Sequence, residues 1–215
     1  MLPFSSKPLL HLITPGAASD NNFSEASRQI LDLIKAAVEA EISLVQIREK
    51  QLSARRVFEL AGQASQITRN TATKLLINDR ADIALAADAD GVHLTADSLS
   101  AKNIRQNFPG NFIIGVSTHT LEDVLRAKNE GADFATFSPI FRTPNKGEPQ
   151  GLAKLREVCA AAKPFPIVAL GGIDETNFEL AIKAGAQGVA AIRLFNDVER
   201  LFRFAGKARE FESSR

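Results

Sequence analysis

Gln46, Arg48 and Lys50 stand two residues apart in the stretch VQIREK, on the end of a run that opens as an apolar strand with Val45 and Ile47. Side chains two apart on a strand share a face, so an amide and two cations point one way while Val45 and Ile47 pack the other. Cations at that spacing suit oxyanions, which take charge-assisted hydrogen bonds from ammonium and guanidinium groups. Lys146 adds a cation inside SPIFRTPNKGEPQGL, and Ser117 and Thr143 add hydroxyl donors. Asp79 in NDR and Asp97 in HLTADS offer hard carboxylate oxygens, the ligands Mg²⁺ takes when it shares a site with phosphate oxygens. Together these groups describe a diphosphate site.

Positioning them requires a scaffold, and the chain alternates short apolar runs with stretches of helical period. Strand-like runs fall at 9–14, 43–48, 74–78, 91–94, 112–117, 133–138, 166–170 and 188–192, each followed by a segment with apolar residues three or four apart. Eight strand-then-helix units with nearly continuous apolar strands predict a parallel sheet covered by helices, closed as a single (β/α)8 TIM barrel over residues 1–215. An open doubly wound sheet is the alternative, but no Gly-x-Gly-x-x-Gly turn follows the first strand. The functional groups all lie at or just beyond the C-terminal ends of predicted strands, where barrels of this kind build their sites. A second anion site is expected at Gly171-Gly172 and the strand-eight turn, Ile192-Arg193, because phosphate positions recur after strands seven and eight. The GAD and DAD triplets before several strands belong to the opposite end and to stability.

Composition bounds the partners. Lys plus Arg number 26 against 25 acids, a net charge of +1 that supplies no overall field for nucleic acid or an anionic membrane. One cysteine, Cys159, rules out an internal disulfide framework, and its apolar helix predicts a packed thiol. No Cys/His spacing suits zinc. No apolar run reaches membrane-span length, and MLPFSSKPLL does not read as a signal peptide, so the expected compartment is the cytoplasm. A homo-oligomer is compatible with all of this.

Some of these residues have a plain structural alternative. Thr120 to Asp123 forms a capping box, Asp174 suits an N-cap, and Asp79 could pair with Arg80 or cap the short third helix. His11 and His93, on strands, fit packed or hydrogen-bonded core positions.

VQIREK, LLINDRADIALAADADGVHL, IIGVSTHTLEDVLRAKNEGADFATFSPIFRTPNKG and PIVALGGI, in that order, resemble thiamine phosphate synthase and its relative, the TenI-type thiazole tautomerase, over roughly residues 9–200. The resemblance implies a transferase that joins hydroxymethylpyrimidine diphosphate to thiazole phosphate and releases pyrophosphate. It places Gln46, Arg48, Lys50 and Asn78 on the pyrimidine diphosphate and Asp79 on Mg²⁺, with Ser117 and Lys146 stabilising the departing pyrophosphate. Thr143 and Gly171 or Gly172 would meet the thiazole phosphate. Where the synthase pattern carries Gly-Gln-x-Asp after GVH, this chain has Ala96 at the Gln, Ser98 at the Asp and Asp97 one residue early. Arg193 replaces a phosphate-binding serine. The tautomerase alternative needs a catalytic histidine where this chain has Pro139, leaving His119 as the nearest acid-base group. A non-catalytic barrel that binds a thiamine precursor is the third alternative.

Overall fold

A computed structural model describes residues 7–144 and 146–213. Part of the N-terminal segment read against a signal peptide, residues 1–6, lies outside them. Eight parallel strands close in chain order into a barrel: β1 (Leu9–Ile13), β2 (Leu44–Ile47), β3 (Lys74–Asn78), β4 (Gly91–Leu94), β5 (Ile113–Thr118), β6 (Phe134–Phe137), β7 (Ile167–Leu170) and β8 (Gly188–Ala191). The helices between and after them are α1 (Phe23–Glu39), α2 (Ala54–Thr68), α3 (Ala81–Ala86), α4 (Ala101–Asn107), α5 (Leu121–Asn129), α6 (Gly151–Ala162), α7 (Phe178–Lys183) and α8 (Val198–Ser213). No helix among the described residues is long and apolar enough to cross a membrane.

Two apolar layers follow from strand alternation. Val45, Ile47, Leu75, Ile77, Ile114 and their counterparts pack outward against the helices. Leu9, Ile13, Leu44, Leu76, Ile113, Phe134, Val168 and Ala190 fill the barrel's inside. Phe134 is the largest filler, and its space exists because Gly115 lies opposite in register: a Cβ on Gly115 would come within 2.4 Å of the Phe134 ring and 2.8 Å of His93. His11 and His93 complete this layer with ring centroids 5.5 Å apart, each 5.8 Å from Phe134. Both are buried, as expected of core histidines, with the Gln46 amide beside His11 and neither His93 ring nitrogen partnered among the described residues.

The triplets before the strands do stabilise the end of the barrel where the strands begin. Asp90 accepts from Leu75 N at 2.9 Å and pairs with Lys74, while Asp133 accepts from Ile114 N at 2.7 Å and pairs with Arg105. The Thr120–Asp123 capping box forms as expected. Asp174 is not the cap of α7: the helix starts later, behind Asn177, and the Asp174 carboxylate instead holds Thr176 N and Oγ1 in a turn. Cys159 is buried and unpaired, and burial raises its thiol to about 11.

Candidate active site

The ends of the strands open into a cavity of about 710 Å³, a size typical of small-molecule sites. Gln46, Arg48, Lys50, Asn78, Asp97, Ser117, Thr143, Lys146, Gly171, Gly172, Ile192 and Arg193 all line it, so the predicted site residues converge apart from Asp79. Sequence reasoning missed Thr95 and Ser138 on the same wall, and it placed His93 in the core when that ring also forms the cavity floor. The alternation that found Gln46 and Arg48 would have found His93 and Thr95 as well.

β2 delivers its groups as the sequence predicts. Gln46 is buried and its Nε2 donates to Asn78 Oδ1 at 2.8 Å, which leaves Oε1 as an acceptor with no partner. Between the two cations lies Glu49, facing the other way and buried, where its carboxylate accepts from Gly16 N at 3.0 Å and Ala18 N at 2.8 Å. That carboxylate pins the loop after β1 beside the cavity. Lys50 is exposed, so its charge stays hydrated and the fold bears little desolvation cost for it.

Asp79 departs from the expectation. The strand ends at Asn78, and Asp79 adopts a left-handed backbone (φ 59°) that breaks the alternation and turns its side chain toward the β4 loop. Oδ1 accepts from Thr95 N at 3.0 Å, from Thr95 Oγ1 at 3.1 Å and from the Ser98 hydroxyl, while Oδ2 accepts from Asn78 Nδ2 at 2.7 Å. It neither pairs with Arg80, which binds Asp82, nor caps α3. This carboxylate ties the ends of β3 and β4 together, and Ser98 fills the place of the second carboxylate. Asp97 does line the cavity, exposed and without a side-chain partner among the described residues. Among the described residues, no group of three or more His, Cys, Asp or Glu gathers there to hold a metal. Asp97 thus offers a free carboxylate of the kind Mg²⁺ takes when it shares a site with phosphate oxygens, whereas the Asp79 carboxylate is already engaged by Thr95, Ser98 and Asn78.

On the opposite wall, Gly171 (φ 99°) and Gly172 (φ 66°) occupy left-handed conformations and leave no room for a side chain; a Cβ on Gly172 would meet Arg142 O at 2.7 Å. The backbone N–H groups of Gly172, Ile173, Arg193 and Leu194 have no chain acceptor among the described residues. Asn177 and Asn196 hold the two turns in place through Gly172 O and Ile13 O. N–H groups left without acceptors on these two turns, beside an exposed arginine, are donors of the kind an anion uses.

The electrostatics have one sign. Among the described residues, Arg48, Lys50, Lys146 and Arg193 line the cavity against a single carboxylate, Asp97, which leaves three net positive charges at the mouth of a chain whose total is +1. None of the four cations has an ion-pair partner among the described residues, although ion pairs are plentiful elsewhere on the surface, as between Arg28 and Glu25, Arg80 and Asp82, and Arg200 and Glu175. Burial holds the floor histidine neutral, its pKa lowered to about 4 with Arg48 adding to the shift against the pull of Asp79.

A sequence model of the family described as "Thiamine monophosphate synthase" matches residues 10–195. A thiamine-phosphate synthase of Caldanaerobacter subterraneus subsp. tengcongensis is 35% identical over 179 residues, 82% of this chain and 83% of that one. One from Chloroflexus aurantiacus is 40% identical over 163 residues, 74% of each chain. The solved thiamine phosphate pyrophosphorylase of Pyrococcus furiosus superposes with a TM-score of 0.81 at 28% identity, covering 97% of both chains. With its barrel, its cationic mouth and these likenesses spanning nearly its whole length, the chain belongs to the thiamine monophosphate synthase family.

Proposed function

We infer that this chain is a thiamine-phosphate synthase, which joins hydroxymethylpyrimidine diphosphate to thiazole phosphate and releases pyrophosphate. The observation that carries this is the set of four unpaired cations around one cavity, divided between two anion positions. Strands β2 and β6 lie across the ring from each other, so Arg48 and Lys50 on one side and Lys146 on the other can grip a diphosphate between them. The β7 and β8 turns, with Arg193, offer a separate place for a monophosphate. In this arrangement the Gln46–Asn78 pair holds the pyrimidine.

The carbon–oxygen bond to the diphosphate breaks with its electron pair leaving on oxygen, and the thiazole nitrogen supplies the pair for the new carbon–nitrogen bond. Charge concentrates on the departing oxygens, so fixed donors aimed there lower the barrier: Lys146, Lys50 and the Ser117 hydroxyl. A magnesium ion on Asp97 would further neutralise that charge. The tautomerase alternative lacks support, because Pro139 lines the cavity where that chemistry needs a histidine.

The deciding experiment mixes the purified protein with both phosphorylated precursors and Mg²⁺ and follows thiamine phosphate. Formation is expected, with Lys146→Ala lowering kcat by about 100-fold while thiazole phosphate binding barely moves. Binding of both precursors without turnover would replace the enzyme with a precursor-binding barrel.

A further inference from the structure

His119 lies one residue beyond β5 and lines the cavity. Ser117 and His119 face it together because Thr118 between them is buried the other way, donating to Thr136 O at 2.8 Å. Three bonds fix the residue. Its backbone N–H donates to Asp123 at 3.3 Å, its carbonyl accepts from Gln150 Nε2 at 3.0 Å, and its ring Nδ1 meets Ser138 O at 2.9 Å. A carbonyl only accepts, so Nδ1 carries a proton and Nε2 is the nitrogen left for a ligand. A surface histidine needs no such support, whereas an oriented imidazole is what proton transfer requires.

We propose that His119 is a catalytic residue, delivering a proton from Nε2 to the departing pyrophosphate. This rests on the synthase reaction inferred above. As the carbon–oxygen bond breaks and its electron pair moves onto oxygen, the Nε2 proton passes to a pyrophosphate oxygen. The imidazole is left neutral and is recharged from water. Histidine is suited to the role because its charge changes between about pH 5 and 8. The charged groups around it are Asp123 on α5, Lys146 after β6, and Arg48, Lys50, Asp97 and Arg193 across the cavity. The cations hold the pyrophosphate in place, and the proton removes the negative charge that would otherwise draw it back.

Two variants test this: His119→Gln, which removes the acid, and His119→Asn, which also keeps a donor near Ser138 O. Both should melt within a few degrees of the unaltered protein. Each should lower kcat at least tenfold with KM for the pyrimidine diphosphate changed less than threefold, and each should abolish the decline of kcat as pH rises from 5 to 8. A second readout needs no turnover. Inorganic pyrophosphate titrated into the protein should bind more weakly as pH rises through that range, and this dependence should flatten in both variants. Unaltered kcat, an alkaline decline that survives, or pyrophosphate affinity that responds to pH identically in all three proteins would overturn the role of His119. An unaltered protein that makes no thiamine phosphate would sink the synthase assignment instead, leaving the pyrophosphate titration to judge His119.

Discussion

Lys50 shows how a single residue's role follows from what it lacks. It stands exposed at the cavity with no partner, so an ion pair that serves the fold is excluded among the described residues. Replacing it with Met removes the cation and keeps the apolar stem. The diphosphate substrate should bind at least about tenfold more weakly, which is 1.4 kcal/mol, while the melting temperature and thiazole phosphate affinity stay put. A substantial fall in melting temperature with unchanged diphosphate affinity would return Lys50 to a structural role. At this scale the sequence was legible wherever alternation held. Gln46, Arg48 and Lys50 point where period two sends them. Glu49, in the same six residues, was silent in the sequence because its partners are backbone N–H groups 31 and 33 residues away.

At the scale of elements, Asp79 marks where local reading stops working. Up to Asn78 the strand dictates direction; one residue later a positive φ redirects the side chain, and no pattern in NDR announces the turn. The carboxylate became a clasp between β3 and β4, so Asp79→Asn should be a stability variant. Asparagine tolerates the left-handed backbone, but its amide would set a donor against Asn78 Nδ2. A loss of about 1–3 kcal/mol is expected, or about 2–12 °C in Tm for a chain this long, with the magnesium requirement unchanged. Asp97→Asn should do the reverse, raising the magnesium needed for half-maximal rate while Tm holds. If Asp79→Asn shifts the magnesium requirement and leaves Tm alone, the metal belongs to Asp79 after all. The strands were readable because both faces are buried and read as continuous apolar runs, the helices because each buries one face, and α7 was misplaced because Asp174 and Asn177 are both competent caps in sequence.

The molecule as a whole carries a built-in sensitivity to acid. His11 is buried inside the barrel and His93 is buried at the floor of the cavity, and burial pushes both below the ordinary histidine range, His93 to about 4. In the unfolded chain each would take up a proton near pH 6.5. Between those values the unfolded state binds more protons, so stability is fully present above about pH 6.5 and falls as pH drops toward 4. His93 alone should cost about 2 kcal/mol by pH 5. The carboxylates whose pKa values are lowered, such as Asp123 and Glu175, lose their contribution only as pH falls through lower values, which separates the two effects. Urea unfolding at pH 7 and pH 5 checks this; equal midpoints would show that the ring nitrogens are not confined as described. The barrel itself was legible from the eight-fold repeat of strand and helix, whereas this histidine pair was not: its members are 82 positions apart and meet only when β1 and β4 close around Phe134.

The lopsided charge of the mouth also governs how substrates arrive. A nearly neutral chain with three net positive charges gathered at one opening behaves toward small anions as a funnel, drawing them in faster than unguided diffusion would. Such guidance fades once added salt shortens the reach of the field to about 10 Å at 0.1 M and about 3 Å at 1 M. Raising sodium chloride across that range should depress kcat/KM for the diphosphate several-fold while leaving kcat nearly constant. Equal sensitivity of both constants would place the effect of salt on the chemical step rather than on capture.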